Sequence, residues 1–253
     1  MSAHLSAAHA PFAISRIAAP IREQVEAQLR QAILMGHFRP GDRLIERELC
    51  SLLGVSRTSL REALRQLEGD GLVVNIPYKG MVVATMTREE AEEIYQVRAM
   101  LEGLAGRLFA ERANSEQQVA LQGALSGVEA AHRSGELQAL VAAKDHFYEV
   151  LLGSCGNYTA RAILQSLHDR IASLRALTLA QPGRAAASVC EMRRILVAVE
   201  HADPEEAFRA CVEHVQQAAA IAAQVLQQQE ALALPAGTAS AARPERRAGR
   251  NEN

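Results

Sequence analysis

The chain has 253 residues, of which 49% are hydrophobic and 22% charged, and its formal net charge is −2. These values are typical of a globular protein with one large domain or two modest ones, and they exclude disorder as the main state. No run approaches the ~18 consecutive apolar residues of a membrane-spanning helix, and no signal peptide is apparent at the N-terminus. We therefore expect a cytoplasmic protein with no membrane partner.

Charge is distributed unevenly along the chain. Residues 1–86 carry ten Lys and Arg against eight Asp and Glu, whereas residues 87–230 carry thirteen against nineteen. This asymmetry favours a nucleic-acid partner for the first part only. The cysteines show no C-x-x-C pair or zinc spacing. They are predicted to be small buried thiols: Cys50, Cys155, Cys190 and Cys211.

Both ends of the chain lack periodicity. Residues 1–15 are mostly Ala, Ser and His, and residues 231–253 are rich in Ala, Gly, Pro and Arg. We predict a disordered N-terminal tail and a disordered basic C-terminal tail. The residues between them divide into a mixed domain, 16–86, and a helical domain, 87–230.

The mixed domain begins with three short helices. Apolar residues recur every four positions from Ile21 to Ile33 and predict the first helix. A second is predicted from about residue 45 to the left-handed stop at Gly54. A third is predicted over about 57–69, with Ser56 as its N-cap.

Two β-type runs follow these helices, at 72–74 and 81–83, and a Pro-Tyr-Lys-Gly turn joins them. Three helices and a hairpin in under 70 residues predict a winged helix-turn-helix.

The second domain is predicted to be helical almost throughout. Thr87 and Glu90 form a capping box at its start. Short connections between the helices predict an antiparallel bundle. The fold class is therefore mostly α. The six predicted helices lie at about 88–110, 115–133, 136–152, 158–180, 185–200 and 204–229.

The third helix has two distinct faces. Its apolar residues, such as Leu60 and Leu64, fall within one arc, and Arg57, Arg61 and Arg65 occupy a neighbouring one. Arginine can bond guanine or bracket a phosphate, and hydroxyls near a helix N-terminus add phosphate contacts. A solvated basic face is the alternative. The turn before the helix and the hairpin after it favour DNA binding.

The run PGDRLIERELCSLLGVSRTSLREALRQLEGDGLV resembles the signature of the GntR family of bacterial transcription factors. The resemblance spans residues 24–83, and the helical remainder resembles the FCD effector domain of the FadR branch. It implies a cytoplasmic homodimer that binds a pseudo-palindromic operator in double-stranded DNA. Together with the arginine face, it predicts these DNA-binding residues: Arg47, Ser56, Arg57, Thr58, Ser59, Arg61, Arg65, Lys79 and Gly80.

Members of the FCD class resemble one another in a buried metal site of one Asp and three His. In this chain Lys144, Tyr148 and Met192 occupy three of those positions, and His214 alone remains. One imidazole cannot close a four-ligand site, so we predict no metal cofactor. The alternative is a degenerate divalent-metal site that uses Asp145 with His214.

Lys144 and Tyr148 lie within the apolar face of their predicted helix, and a lysine there is costly unless an anion partners it. We predict that Lys144 binds the carboxylate of a small organic acid directly. The predicted effector-binding residues are Arg98, Lys144, Tyr148, Arg170, Met192 and His214. In the alternative interpretation Lys144 pairs with Glu102 or Asp145, Tyr148 fills the core and a carbonyl satisfies His214.

The sequence thus predicts a sequence-specific DNA-binding transcriptional regulator, a repressor in preference to an activator, that a small-molecule carboxylate effector switches. An architectural DNA-binding protein without effector is a second possibility. An all-helical enzyme is a third, but the chain lacks a P-loop, G-x-G-x-x-G, H-E-x-x-H and G-x-S-x-G.

Overall fold

The computed structural model describes residues 21–233. The tails predicted for 1–15 and 231–253 lie outside the described residues, except that 231–233 continue the last helix. The N-terminal domain contains α1 (Ile21–Leu34), α2 (Glu46–Leu53), α3 (Arg57–Gly69), β1 (Val73–Ile76) and β2 (Gly80–Val83).

The N-terminal domain has one apolar core centred on α3. Leu60, Leu64 and Leu67 on this helix are fully buried and pack against α1 and β1. Gly54 ends α2 in the left-handed conformation, and Ser56 then accepts a hydrogen bond from the Ser59 amide as the α3 N-cap. The two strands pair antiparallel. The predicted winged helix-turn-helix is confirmed.

The helical domain follows after a short connector. Its helices are α4 (Arg88–Arg112), α5 (Ser115–Ser134), α6 (Leu137–Ser154), α7 (Tyr158–Arg170), α8 (Ala172–Leu179), α9 (Arg184–Glu200) and α10 (Pro204–Ala233). The capping box of Thr87 and Glu90 is present at the start of α4. None of the helices in 21–233 combines the length and apolarity needed to cross a membrane.

Helices α4 and α10 form the most extensive helix–helix contact among the described residues. A Cβ atom at Gly103 would lie 2.8 Å from Phe208, and one at Gly106 would lie 2.6 Å from Sγ of Cys211. The absence of a side chain at these two glycines therefore allows the backbones to approach. Their packing places the buried residues of α4 against those of α10.

The helix predicted over 158–180 is interrupted at Ile171, which lies between α7 and α8 with φ −100° and ψ 6°. Ile171 and Leu174 are buried in the core that α4 and α10 line. Before the interruption, α7 presents Asp169 to the N-terminal domain. Because of this break, α7 contacts the N-terminal domain while α8 packs in the core that α4 and α10 line.

The two domains meet through an ion-pair cluster around Arg30 of α1. Its Nη1 donates to Oδ2 of Asp169 at 2.8 Å, and its Nη2 donates to Glu26 at 2.9 Å and to Asp70. Burial opposes the charge of Arg30, but its hydrogen bonds to Asp70, Glu26 and Asp169 raise its pKa above the usual value. One guanidinium therefore joins α1, the end of α3 and α7.

The cysteines do not all lie in the core. Cys155 and Cys211 are buried, but Cys50 is half-buried and Cys190 is exposed on α9. The prediction of four buried thiols is wrong for these last two. Cys50 is only partly covered by the N-terminal core, and Cys190 points outward from the face of α9 that carries Met192.

Candidate functional site

The first candidate site is a basic groove on the N-terminal domain. Its volume is about 370 Å³. Four cationic side chains, from α2, α3, the loop before α2 and the turn of the hairpin, surround it: Arg43, Arg47, Arg57 and Lys79. All four are exposed. A groove with this charge and position is suited to the phosphates of a DNA duplex.

The exposed face of α3 begins at this groove. Arg57, Thr58, Arg61 and Arg65 are exposed, whereas Leu60 and Leu64 are buried. The predicted division into two faces is therefore present.

Three predicted DNA-binding residues have partners within the protein. The hydroxyls of Ser56 and Ser59 lie 3.0 Å apart, and Ser56 also caps α3. Arg61 donates from Nε to both carboxylate oxygens of Glu46, at 2.9 and 3.0 Å. Arg61 must exchange this contact if it is to bind DNA.

The tip of the β-hairpin projects fully into solvent. Tyr78 is wholly exposed and has φ +64°, a conformation that a residue other than glycine seldom adopts. Lys79 and Gly80 follow it and line the basic groove. Neither Tyr78 nor Arg43 was predicted as a DNA-binding residue; the position of Tyr78 at a hairpin tip could have indicated its exposure.

The second candidate site is a small cavity inside the helical domain, which we call the anion pocket. Its volume is about 20 Å³. Its lining residues come from α4, α6, α8, α9 and α10: Tyr95, Arg98, Lys144, Tyr148, Arg175, Thr178, Leu179, Arg184, His214 and Ala218. Four of them are cationic, and none of the lining residues found within 21–233 is acidic.

Arg98 belongs to a buried chain of charges on one side of the anion pocket. Its Nε and Nη2 donate to Oε1 of Glu102, which also lies 2.8 Å from Nε2 of His168. Burial would raise the pKa of Glu102, but Arg98 and then His168 hold it well below its usual range. Burial lowers the pKa of His168 to about 4, so this imidazole is neutral at pH 7.

Arg184 belongs to a matching chain on the other side. Its two terminal nitrogens donate to the two oxygens of Glu191, at 2.7 and 2.8 Å, and Nδ1 of His214 lies 2.5 Å from Oε2 of Glu191. Burial lowers the pKa of His214 to about 4. The predicted alternative partner of His214, a backbone carbonyl, is thus replaced by a carboxylate.

Lys144 lies between these chains without a carboxylate of its own. Its Nζ donates to Oγ of Ser188 at 2.5 Å, and only 4% of the residue is exposed. Burial, followed by the charges of Arg184 and Arg175, lowers the pKa of Lys144 to about 7. The pairing with Glu102 or Asp145 considered from the sequence is therefore absent, and Ser188 takes that place.

Tyr148 and Arg175 form the outer wall of the anion pocket. Cζ of Arg175 lies 5.9 Å from the centre of the Tyr148 ring. Nη1 of Arg175 donates to Asp145, whereas its buried Nη2 has no hydrogen-bond partner within the described part of the chain. An unpaired buried donor is costly, and an incoming oxygen atom would satisfy it.

Two predicted effector residues do not line the anion pocket. Arg170 lies beside the N-terminal domain, where a Cβ at Gly71 would be 3.0 Å from its Nε. The prediction assumed one continuous helix over 158–180, and the break at Ile171 gives this position to Arg175 instead. Met192 is fully buried behind Ser188, with its Sδ 4.0 Å from Oγ.

The donor set does not fit a metal ion. Asp145 is bound to Arg175, His214 is bound to Glu191, and no group of three His, Cys, Asp or Glu suited to a metal occurs in 21–233. Lys144 and three guanidinium groups would also repel a cation. The alternative metal site of Asp145 and His214 is therefore not formed.

Several polar residues in or beside this pocket were not predicted as effector residues from the sequence. They are Glu102, considered only as a partner of Lys144, and His168, Arg175, Arg184, Ser188 and Glu191. Spacing offered two signals: Glu102 follows Arg98 by one helical turn, and His168 follows the buried Leu164 by one turn. The contacts between helices could not be read from spacing.

Two family profiles match the chain. The profile described as bacterial regulatory proteins, gntR family, matches residues 21–83, and the FCD domain profile matches residues 93–217. The chain is also 32% identical over 196 residues to the HTH-type transcriptional regulator YdhC of Bacillus subtilis (strain 168). That match covers 77% of this chain and 88% of YdhC.

Solved structures share the fold. The structure of McbR/YncC from E. coli has a TM-score of 0.72 at 23% identity and covers 84% of this chain and 100% of its own. A putative GntR transcriptional regulator from Rhodococcus sp. RHA1 has a TM-score of 0.69 at 24% identity and covers 82% and 98%.

Proposed function

The chain belongs to the GntR family of bacterial transcriptional regulators, with an N-terminal helix-turn-helix and a C-terminal FCD domain of the FadR-like branch, and from this premise we propose that a small carboxylate switches its operator binding. It is a regulator and not an enzyme. The proposal assigns DNA binding to the basic groove and α3, and effector binding to the anion pocket.

The arrangement of α3 supports major-groove binding. Its apolar face is fixed in the core by Leu60, Leu64 and Leu67, so its arginine face is held outward. Arg57 stands at the N-terminal end of the helix, where base edges are contacted in helix-turn-helix proteins. The wing residues Lys79 and Gly80 line the basic groove of the protein and would contact the neighbouring DNA backbone.

A homodimer would present two such surfaces to a pseudo-palindromic operator. Val97 and Met100 on α4 are half exposed and one turn apart. Two apolar side chains on one helix face, away from the α4–α10 contact, support pairing of two copies through α4. One recognition helix per half-site then requires half-sites about one turn of DNA apart.

One observation carries the effector proposal. Four cationic side chains line the anion pocket, and the acidic partners of Arg98, Arg175 and Arg184 lie outside its lining. Burying Lys144 without a carboxylate is costly, and a ligand carboxylate would offset that cost. The unpaired Nη2 of Arg175 provides a further donor.

The proposed mechanism is a shift between two placements of the N-terminal domain. Asp169 holds Arg30 of that domain, and the neighbouring His168 is bound to Glu102 and so to Arg98 of the anion pocket. A ligand that binds one placement better shifts the population toward it. We assign the protein as a repressor whose effector releases the operator, with a coupling of about 1–3 kcal/mol.

Calorimetry against a panel of organic acids tests the effector site. The full chain should bind at least one small carboxylate, and Lys144→Ala should weaken that binding by tenfold or more. Arg193→Ala, which removes an exposed guanidinium paired with Glu129 on the outside of the bundle, is the matched control and should leave binding unchanged. Undiminished binding by the Lys144 variant would exclude direct carboxylate recognition.

A gel-shift titration with the upstream region of its own gene tests the switch. The acid identified by calorimetry should release the protein from this DNA. Tighter binding with the acid would make the protein a co-repressed or activating regulator. DNA binding that no acid alters would instead support an architectural role.

A further inference from the structure

The anion pocket is too small for a whole metabolite. A volume of about 20 Å³ holds roughly one water-sized group. A carboxylate has three heavy atoms, so the lining side chains must move apart to admit it, and the rest of an organic acid must lie elsewhere. The shape of the neighbouring space therefore determines which acids can bind.

A much larger cleft begins at the outer wall of the anion pocket. Its volume is about 530 Å³, within the usual size range of ligand sites, and it lies between the two domains. Tyr148 and Arg175 line both spaces. A ligand whose carboxylate meets the anion pocket could thus extend past these two side chains into the cleft.

The walls of the cleft are largely apolar and come from both domains. The end of α1 and the loop after it supply Ile33, Leu34 and Phe38, and the helical domain supplies Val141 and Leu152. Such walls favour a hydrocarbon or aromatic group. Because the N-terminal domain forms one wall, a group in the cleft contacts both domains directly.

The charged residues of the cleft disfavour a second carboxylate. Asp145, Glu149 and Asp169 line it, against Arg39 and the shared Arg175. Asp145 and Asp169 already pair with arginines, so those arginines have carboxylate partners. Little positive charge in the cleft therefore remains for a second carboxylate of the ligand. A dicarboxylate would place its second charge beside these acids.

We infer that the effector is an amphipathic monocarboxylate, with its carboxylate in the anion pocket and its uncharged tail in the cleft between the domains. This inference rests on the proposed effector function and names the ligand class for it. The tail contacts the end of α1, so its burial depends on how the N-terminal domain is placed. This dependence supplies the differential affinity that a population shift requires.

Calorimetry on the full chain with butyrate, hexanoate, octanoate, succinate and octanamide tests the inference. Affinity should rise by about fourfold per added methylene along the monocarboxylates, the value for full burial of the tail. Succinate should bind no more tightly than butyrate. Octanamide, which lacks the charge, should bind at least tenfold more weakly than octanoate.

Two variants separate the ends of the ligand. Ala176→Trp fills the cleft from α8 and should abolish the gain from butyrate to octanoate, and Ala130→Trp at an exposed site on α5 is its matched control. Lys144→Met should weaken all the acids alike. Leu34→Ala, on the opposite wall, should weaken octanoate but not butyrate, and serves if Ala176→Trp does not fold.

The results distinguish failure of the tail site in the cleft from failure of the proposed effector function. Affinity that does not change with chain length, or a gain from butyrate to octanoate that survives Ala176→Trp, would overturn the tail site while the anion pocket stands. If no carboxylate of any length binds, both the inference and the proposed effector function fail.

Discussion

Lys144 places an ammonium group in a buried pocket that it shares with Arg98, Arg175 and Arg184. Burial and these neighbouring charges lower its pKa to about 7 from the ordinary value of 10.5. Between these two pH values the unfolded chain holds a proton that the folded chain has lost, so this residue makes the free energy of unfolding rise with pH. Below pH 7 the full cost of the buried charge is present.

The same pKa makes effector binding depend on pH. A bound carboxylate favours the charged amine, so above pH 7 binding must take up a proton, and affinity should fall by up to about tenfold per pH unit. Below pH 7 the amine is already charged, and affinity should be nearly constant. Calorimetry of the acid at pH 6.5, 7.5 and 8.5 measures this, and proton uptake appears as a dependence on the buffer's ionisation enthalpy.

Lys144→Arg is the control for that measurement, since a guanidinium stays charged throughout this pH range. The pH dependence should disappear in this variant. If the wild type shows the same affinity at all three pH values, Lys144 does not carry the carboxylate. His168 and His214, both with pKa values near 4, stay neutral from pH 6.5 to 8.5, so they do not contribute to the measured pH dependence.

We expect Arg57 to contact the operator. It lines the basic groove at the start of α3, so Arg57→Ala should weaken operator binding by tenfold or more. If Arg57 contacts a phosphate, the slope of log affinity against log salt should fall by about one. If it contacts a base edge, discrimination against a substituted operator should be lost, by about 1–3 kcal/mol. Fluorescence anisotropy at several salt concentrations measures both, and equal affinity of the variant would remove Arg57 from the interface.

The sequence predicted the residues on helix faces better than their partners. Lys144, Tyr148, Arg98 and His214 were expected at one site because each lies on or beside an apolar face, and all four line the anion pocket. Their carboxylate partners lie on other helices or lie one turn away, and periodicity does not specify contacts between helices. Arg170 was misplaced because the prediction treated residues on both sides of the break at Ile171 as one continuous helix.

The α4–α10 contact depends on two glycines of α4, Gly103 and Gly106. Gly106→Ala would place a methyl group 2.6 Å from Sγ of Cys211 and 3.0 Å from the backbone oxygen of Ala207. The backbone oxygen cannot move aside, so the free energy of unfolding should fall by about 1–3 kcal/mol, the usual cost of overpacking. Denaturant unfolding measures the change.

Gly127→Ala on α5 is the matched control. It is also a glycine within a helix, but a Cβ there meets nothing within 4 Å. Alanine favours the helix, so this variant should be more stable by about 0.5–1 kcal/mol. A stability loss of the same size in both variants would show that the close contact is not the cause.

The contact between α1 and α7 should transmit the effector signal. Asp169→Asn removes the charge that holds Arg30 across the two domains while retaining the shape of the side chain. Operator affinity without effector should change less than threefold, whereas the ratio of affinities with and without effector should move toward one. Anisotropy titrations with and without the acid give this ratio, and Glu92→Gln, at an exposed pair on α4, is the control. An unchanged ratio would show that α7 does not couple the sites through Arg30.

The elements themselves were largely predictable. Capping residues such as Ser56 and Thr87 and the left-handed Gly54 mark element ends with local hydrogen bonds, and a single sequence carries that information. The break between α7 and α8 has no proline, glycine or capping side chain to signal it. It follows from packing of Ile171 and Leu174 in the bundle core, which depends on distant helices.

The proposed dimer interface can be tested by a substitution on α4. Met100→Glu introduces a charge on the half-exposed apolar face that also carries Val97. The variant should sediment as a monomer and bind operator at least tenfold more weakly, because two half-sites are no longer engaged together. Val119→Glu, at an exposed position on α5, should leave both properties unchanged. A dimeric Met100 variant with full operator affinity would place the interface elsewhere.

In the proposed switch, the cleft between the domains links the two ligands in both directions. By thermodynamic reciprocity, the factor by which the acid changes operator affinity equals the factor by which operator DNA changes acid affinity. A copy bound to DNA therefore responds at a different acid concentration from a copy free of DNA. If the acid releases the operator, the DNA-bound copies are the last to respond, and the threshold for gene expression lies above the Kd of the free protein by that factor.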